Sequence, residues 1–366
     1  MPTLRTALVQ RTLRGRLATR IRHGVASGLV VAALLTDPAA PRAGAPAAWA
    51  QASSPPAAQT WDVQVGGADD AAGVEINAFL PDPLTIHAGD TVRFTFAGFH
   101  TVTFNSNKPP KPLYIPGPNP GDLEIGPAGF PYQAPDKATY NGIDQISSGA
   151  PMGAGPGGAP PTFLVTFATT GVFAYVCEIH PGMRGTMRVA RAGEMLEETN
   201  AQATARGKLT EGALKAKLQA DAAAYRPVAT GPVRTVAAGL GDGFEASLLA
   251  FLPGNLTMKR GDWVVWTNPD PAEAHTVTFA TGVQPPPLSD FQPQPNGPPR
   301  IILPVSLVQP TGTTFTGQAG LLHSGLLFGG ASYAALVDAP PGTYTYFCLL
   351  HGSPEGGMRG TLTVTG

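Results

Sequence analysis

Short runs in which hydrophobic and polar residues alternate recur along most of the chain, and this period of two is typical of half-buried β-strands. The runs Thr91–Phe96 and Trp263–Thr267 are rich in β-branched and aromatic residues, and each follows a Gly-Asp turn. In Phe173–Cys177 and Tyr344–Cys348, aromatic residues at every second position lead to a cysteine, so these side chains share one face of a strand. The pattern predicts an all-β architecture.

One segment departs from this pattern. Glu194–Tyr225 is dominated by Ala, Leu, Lys, Glu and Gln, and Pro227 follows it, which predicts a helical segment. Gly207 and Gly212 predict a division into two helices. The apolar stripe of this segment is thin, so we expect a surface linker, with a partner-binding helix as the alternative.

The chain contains an internal repeat. Leu84–Val92 matches Leu256–Val264 at an offset of 172 residues, and the offset rises to 175 between His100 and His275. The difference fits a three-residue insertion in the second copy, within Asn268–Glu273. Aligned repeats that differ by loop-sized insertions predict two copies of one domain.

Composition supports two β domains. The 366 residues, 43% of them hydrophobic, suffice for two packed cores, and the 45 glycines and 39 prolines predict many turns. Only 13% of the residues are charged and the net charge is −1, which leaves no electrostatic footprint for nucleic acid. We therefore expect no nucleic-acid partner.

The N-terminal 50 residues predict an export signal. A basic region precedes the short apolar run Gly24–Leu35, and Ala48–Ala50 offers a small-x-small cleavage site before Gln51. The apolar run is short for a membrane span, so we expect no stable span after signal removal, with an uncleaved anchor as the alternative. The mature protein is therefore expected to be periplasmic or extracellular.

Each copy of the repeat brings two histidines, one cysteine and one methionine together. The first copy reads His100-Thr-Val-Thr-Phe and then Cys-x-x-His-x-x-Met-Arg-Gly-Thr, and the second repeats this order. The candidate metal ligands are His100, Cys177, His180 and Met183 in the first copy, and His275, Cys348, His351 and Met358 in the second. Two imidazoles, one thiolate and a weak thioether form the ligand set of a blue-copper electron-transfer site.

Two other interpretations of the cysteines are weaker. A disulfide between Cys177 and Cys348 would need two equivalent strand ends from different domains within about 7 Å of each other. A structural zinc site usually has more cysteine or histidine ligands than either copy offers.

Two Pro/Gly-rich insertions, 105–161 and 282–310, separate the early histidine from the cysteine in the two copies, and such loops are either functional or mobile. Each is followed by a Ser-Gly step, at Ser148-Gly149 and Ser324-Gly325. We expect this step to form a turn that positions backbone near the metal loop.

With these motifs, the chain resembles the cupredoxin family, specifically the plastocyanin/azurin-like domains of bacterial exported proteins. The spacing Cys177-x-x-His180-x-x-Met183 is similar to that of amicyanins. The resemblance implies two Greek-key β-sandwich domains joined by a helical linker, with the loop histidine of each site emerging at the surface as the electron port. The expected divisions are a signal peptide at 1–50, a disordered segment at 51–60, a first domain at 61–192, a helical linker at 193–230 and a second domain at 231–366.

The chain departs from the family pattern in two places. Thr101 and Thr276 follow the early histidines, where many cupredoxins have asparagine, so the backbone tie between the ligand loops is in question. Six residues separate His351 from Met358, which is longer than the usual loop, whereas the Met-Arg-Gly-Thr register shared with the first copy supports Met358 as the axial ligand.

The function implied is that of a non-enzymatic electron carrier with two type 1 copper ions per chain and redox proteins as partners. Tandem domains also resemble copper nitrite reductases and multicopper oxidases, but those need further histidines. Of the seven histidines, His23 lies in the signal and four are candidate ligands, which leaves His87, expected on the surface, and His323, expected to be structural. A copper-dependent oxidoreductase that gains its catalytic metal at an interface, and a copper storage or delivery protein, remain alternatives.

Overall fold

A computed structural model describes residues 57–106, 108–131, 137–151 and 158–366. The predicted signal peptide and residues 51–56 of the predicted disordered segment lie outside the described residues. Strands dominate the described residues, so the prediction of an all-β fold is confirmed.

The strands follow the repeat seen in the sequence. Those of the first copy are β1 (Thr60–Asp69), β2 (Val74–Leu80), β3 (Leu84–His87), β4 (Thr91–Phe96), β5 (Thr103–Phe104), β6 (Tyr114–Pro116), β7 (Leu123–Ile125), β8 (Lys137–Tyr140), β9 (Ile146–Ser147), β10 (Thr162–Phe167), β11 (Gly171–Val176) and β12 (Arg184–Ala190). Those that follow the long helix are β13 (Ala229–Thr230), β14 (Val233–Gly241), β15 (Ala246–Leu252), β16 (Asn255–Lys259), β17 (Trp263–Thr267), β18 (Thr278–Thr281), β19 (Asp290–Gln292), β20 (Arg300–Leu303), β21 (Thr314–Phe315), β22 (Gly320–His323), β23 (Ser332–Val337), β24 (Gly342–Gly352) and β25 (Gly357–Thr365). The helices are α1 (Asn200–Ala224), α2 (Val305–Val308) and a 3₁₀ turn at Pro127–Gly129.

Each copy has its own hydrophobic core between two sheets. In the first copy, the sheet β3-β12-β11-β5-β9 faces strands β1, β4 and β10, and in the second copy β16-β25-β24-β18-β22 faces β14, β17 and β23. Aromatic side chains fill both cores, because the alternating positions predicted from the sequence point inward. They include Trp61, Phe94, Phe104 and Tyr175 in the first copy, and Trp266, Phe279 and Tyr346 in the second.

The two copies share one continuous sheet, which the sequence did not reveal. Val74–Ile76 in β2 pairs antiparallel with Ala246–Leu248 in β15, and this joins both copies into an 11-stranded sheet. Glu75 lies directly opposite Ser247, and these two residues are equivalent at the offset of 172 residues. The junction therefore has a local two-fold relation between equivalent strands.

The long insertions form a second junction between the copies. β7 from the first insertion pairs with β20 from the second, within a four-stranded sheet ordered β19-β20-β7-β6. Arg300 reinforces this pairing by donating two hydrogen bonds to the Glu124 carboxylate, at 3.0 and 2.6 Å. The Val305 backbone N–H also donates to Asp122, at 2.8 Å. In the described residues, these segments are therefore structural links between the copies.

The segment between the copies forms the single helix α1, and the prediction of two helices is wrong. Its first turn is stabilised by a capping box, in which Thr199 and Gln202 bind each other's backbone N–H groups. Gly207 is buried, and a Cβ there would lie 3.0 Å from the Leu80 carbonyl carbon, so this glycine permits close packing on β2. Packing thus outweighs the helix cost of about 1 kcal/mol for a glycine.

Helix α1 covers the strand junction. Leu214 and Leu218 are buried in a cluster with residues of β2 and β15, so the helix is more than a surface linker. Among the residues that the structure describes, none of the helices combines the length and apolar character needed to cross a bilayer.

Replacing Leu218, which is 0% exposed in this cluster, by alanine should lower the free energy of unfolding by about 2–5 kcal/mol, because the change leaves a cavity at the junction. Leu209→Ala on the same helix, where the side chain is 76% exposed, should change it by less than about 0.5 kcal/mol. Denaturant unfolding of both variants checks this expectation. Equal, small losses would contradict a packing role for α1.

Candidate metal centres

The early histidine of each copy is buried against a glycine in the first strand. Gly66 interrupts the register of β1 with a φ of +77°, and a Cβ there would lie 2.1 Å from His100 Nε2. Gly239 does the same in β14, with a φ of +84° and the same 2.1 Å to His275 Nε2. Only glycine leaves room for the imidazole at these bulges. The sequence analysis missed both glycines, and the signal that could have revealed them is a glycine inside each strand pattern.

In the first copy, the loop between β11 and β12 brings a thiol and an imidazole to His100. The Nδ1 atoms of His100 and His180 are 2.8 Å apart, and Cys177 Sγ lies 3.7 Å from His180 Nδ1. The Cys177 N–H donates to the Met183 carbonyl at 3.0 Å, and the Met183 N–H to the His180 carbonyl at 3.2 Å. The loop is therefore closed by its own backbone.

The second copy repeats this arrangement, with Cys348 and His351 both in β24. The Nδ1 atoms of His275 and His351 are 3.2 Å apart. Cys348 Sγ lies 3.5 Å from His351 Nδ1 and 4.0 Å from His275 Nδ1. Both copies thus bring two imidazole nitrogens and one sulfur to a common point.

A threonine joins the two ligand-bearing segments in each copy. The Thr101 N–H donates to Cys177 Sγ at 3.3 Å, and its hydroxyl accepts from the Glu178 N–H at 2.7 Å. Thr276 repeats both bonds, at 3.3 Å to Cys348 Sγ and at 2.7 Å from the Leu349 N–H. Threonine therefore provides the tie that the departure from asparagine had put in question.

The serines of the Ser-Gly steps lie beside these ties. Ser148 Oγ accepts from the Val102 N–H at 2.9 Å, and Ser324 Oγ accepts from the Val277 N–H at 2.8 Å. The donating residues, Val102 and Val277, immediately follow Thr101 and Thr276. The serines thus fix the backbone that carries each tie.

Met183 and Met358 are both buried in the same cores as the cysteines. The longer second loop closes as a turn, in which the Ser353 N–H donates to the Gly356 carbonyl at 2.8 Å. Gly352 and Gly357 pair across this turn. The extra residues therefore extend the hairpin and return the chain to Met358 at the start of β25.

The three donors of each site fit a copper ion. They lie within 4.8 Å of one another in both copies. Metal–nitrogen bonds of about 2.0–2.1 Å and metal–sulfur bonds of about 2.3 Å would separate the donors of a trigonal site by roughly 3.5–4 Å. Two imidazoles and one thiolate are donors that copper accepts in blue-copper sites.

The sulfur of each site is prepared for metal binding. Burial raises the pKa of the Cys177 thiol, but hydrogen bonds with His100 and His180 outweigh burial and hold this pKa well below its usual value. Hydrogen bonds with His275 and His351 likewise outweigh burial and hold the pKa of the Cys348 thiol well below its usual value. Since the thiolate is the form that binds metal, these sites favour the ligating state.

The loop histidines lie between the two copies, and the prediction that they emerge at the surface is wrong. His180 Nε2 lies 3.0 Å from Glu273 Oε1, and His351 Nε2 lies 3.7 Å from the other oxygen of the same carboxylate. Glu75 from β2 completes a cluster of carboxylates with His351. The sequence analysis missed Glu273 as a site residue, although it had located the insertion that carries this residue.

The remaining histidines have other partners. His323 is buried, with Nδ1 2.9 Å from the Thr278 hydroxyl and Nε2 2.9 Å from the Leu307 carbonyl, which agrees with its predicted structural role. His87 Nε2 lies 2.8 Å from the Glu194 carbonyl, so this side chain is anchored rather than freely solvated.

Comparison with known proteins identifies relatives for part of the chain. The plastocyanin of Nostoc punctiforme is 31% identical over 129 residues, which are 34% of this chain and 70% of that protein. The structure of a Cu(I) form of an amicyanin variant is 20% identical in sequence to the matched part of this chain and has a TM-score of 0.22. The match covers 38% of this chain and 91% of the amicyanin chain. The structure of an oxidised amicyanin variant is 22% identical and also has a TM-score of 0.22. This match covers 38% of this chain and 86% of the amicyanin chain. No family model matches the chain.

Gly239→Ala should reduce copper binding in the second copy, because the new Cβ would occupy the space of the His275 ring. Gly261→Ala is the matched control, since its φ of +94° imposes a similar backbone cost of about 1–2 kcal/mol while its Cβ meets open space. Metal analysis after copper loading should show a loss only for Gly239→Ala. Full copper content in that variant would contradict the proposed seating of His275.

Proposed function

Because the chain belongs to the plastocyanin family of cupredoxins, we propose that it is an exported carrier of single electrons with two type 1 copper sites. The observation that carries this proposal is the duplicated His₂Cys cluster, buried in equivalent positions of both copies. A carrier that used one site would not need the second cluster to be built with the same threonine, serine and glycine supports.

The proposed ligands keep their sequence assignments. His100, Cys177 and His180 would hold one ion and His275, Cys348 and His351 the other, with Met183 and Met358 as the axial thioethers. Bound copper would supply a one-electron redox couple at each site. The protein holds the donors in place through buried hydrogen bonds, so that little rearrangement is needed when the charge of the site changes.

The immediate surroundings favour electron transfer over catalysis. Both cysteines and both early histidines are buried, which keeps water and small substrates away from the donors. His323 and His87, the histidines left over for a catalytic copper, bind protein carbonyls and a hydroxyl instead. The electron donors and acceptors would then be other redox proteins, met outside the cytoplasm.

Cys177→Ser and Cys348→Ser should each remove one copper and the intense visible charge-transfer band of one site, because each thiolate is the source of one band. Metal analysis and visible spectra of the two variants and the wild type check this. A variant that loses both bands while circular dichroism shows an intact fold would contradict two separate sites.

Replacing His87 and His323 together should leave two coppers per chain, since neither residue belongs to the proposed ligand sets. Metal analysis of the wild type and of the double variant after copper loading gives the number of copper ions bound per chain. A third copper equivalent in the wild type that the double variant lacks would instead favour a copper-dependent oxidoreductase. Rapid loss of all copper to a chelator would favour storage or delivery.

A further inference from the structure

One carboxylate lies between the loop histidines of the two sites. His180 approaches Glu273 from the first copy at 3.0 Å, and His351 approaches from the second copy at 3.7 Å. The two imidazoles use different oxygens of this carboxylate, and all three side chains are mostly buried.

The orientation of both rings assigns a role to this carboxylate. In each histidine, Nδ1 faces the cysteine and the other histidine, so Nε2 is the nitrogen left to carry a proton. At 3.0 Å, the His180 Nε2–H can donate to the carboxylate while Nδ1 faces the metal position, and such a bond fixes the ring and increases its basicity. His351, at 3.7 Å, is in ion-pair contact with the same carboxylate. Glu273 can therefore hold the His180 ring by a hydrogen bond and contact His351 of the other site electrostatically at the same time.

The loop that carries Glu273 is built to hold it in place. Asn268 Nδ2 donates to the Glu273 carbonyl at 2.7 Å, and Asp270 Oδ1 accepts from the Ala272 N–H at 2.9 Å. This loop contains the insertion of the second copy, and the equivalent position in the first copy is Gly98, which has no side chain. One copy thus provides the carboxylate for both sites.

We propose that Glu273 is a positioning residue that couples the two metal sites into one redox unit. The inference rests on the proposed function, since it requires copper in both sites. The segment His180–Glu273–His351 would be the route for exchange of one electron between the copies. The exchange oxidises one site, reduces the other, breaks no bond and leaves the Nε2 protons on the imidazoles.

The charge of Glu273 fixes the sign of its effect. An oxidised site carries one more positive charge than a reduced one, so a buried carboxylate bonded to a ligand favours the oxidised state. Because His180 is closer to the carboxylate than His351, removal of the charge should raise the reduction potential of the Cys177 site more than that of the Cys348 site.

Glu273→Gln tests this with Glu75→Gln as the matched control. Glu75 belongs to the same cluster and lies within 4.8 Å of a His351 nitrogen. Its ion-pair contact with a site histidine is 3.9 Å, to His100 Nε2, which is too long for a hydrogen bond. Both variants replace one carboxyl group of the junction by an amide of nearly the same shape. Only Glu273→Gln does so at the residue between the loop histidines.

The reduction potentials should be measured by spectroscopic redox titration. The Cys177 site is measured alone in a Cys348→Ser background, and the Cys348 site alone in a Cys177→Ser background. Glu273→Gln should shift the Cys177 site toward reduction by about tenfold, which corresponds to about 59 mV for one electron. Glu75→Gln should shift it less. Equal shifts in both variants, or no shift in Glu273→Gln, would overturn the proposal.

Two further readouts separate this proposal from the proposed function. After pulse reduction, electron redistribution between the sites should be slower in Glu273→Ala than in Glu75→Ala, and equal rates would contradict the route.

In the copper-free protein, exchange of the His180 Nε2 proton with solvent should be faster in Glu273→Ala than in wild type, and equal exchange would contradict the bond. Wild-type protein without two charge-transfer bands would refute the copper assignment, whereas normal bands with unshifted potentials would refute only the coupling.

Discussion

The antiparallel pairing of β2 with β15 is the constraint on which the rest of the structure depends. It joins equivalent strands of the two copies into one sheet and places Glu75 opposite Ser247. The pairing uses strand edges that would otherwise expose unpaired backbone groups, and α1 covers the apolar side chains at the junction. Because the ligand loops lie beside this junction, the pairing also brings His180 and His351 to the same carboxylate.

Each metal site is assembled by the polypeptide itself. A glycine bulge makes room for the early histidine, a threonine ties the two ligand segments together, and a serine fixes the adjoining backbone. These supports recur in the second copy with nearly the same distances. A donor set held by such bonds has little freedom to rearrange, which suits a site that changes charge without changing its ligands.

The sequence predicted what local pattern and repetition encode. Alternation predicted the strands, and the duplicated spacing of His and Cys identified the three residues that meet in each cluster. It could not predict that β2 and β15 pair, because an edge strand has the same alternation whether or not it has a neighbour. The burial of His180 and His351 follows from that pairing and was missed for the same reason. Gly207 was misread as a helix break because its packing on Leu80 is a long-range contact.

The proposed account makes this protein a pair of copper sites that face each other across an internal junction. The dipolar interaction between the two Cu(II) spins tests this most directly, because it depends on their separation and requires both sites to be occupied. The account predicts that electron paramagnetic resonance of the fully oxidised protein shows two coppers with dipolar splitting or a half-field signal, and that Cys177→Ser abolishes it. Two copper signals without any dipolar interaction, or a single copper per chain, would contradict it.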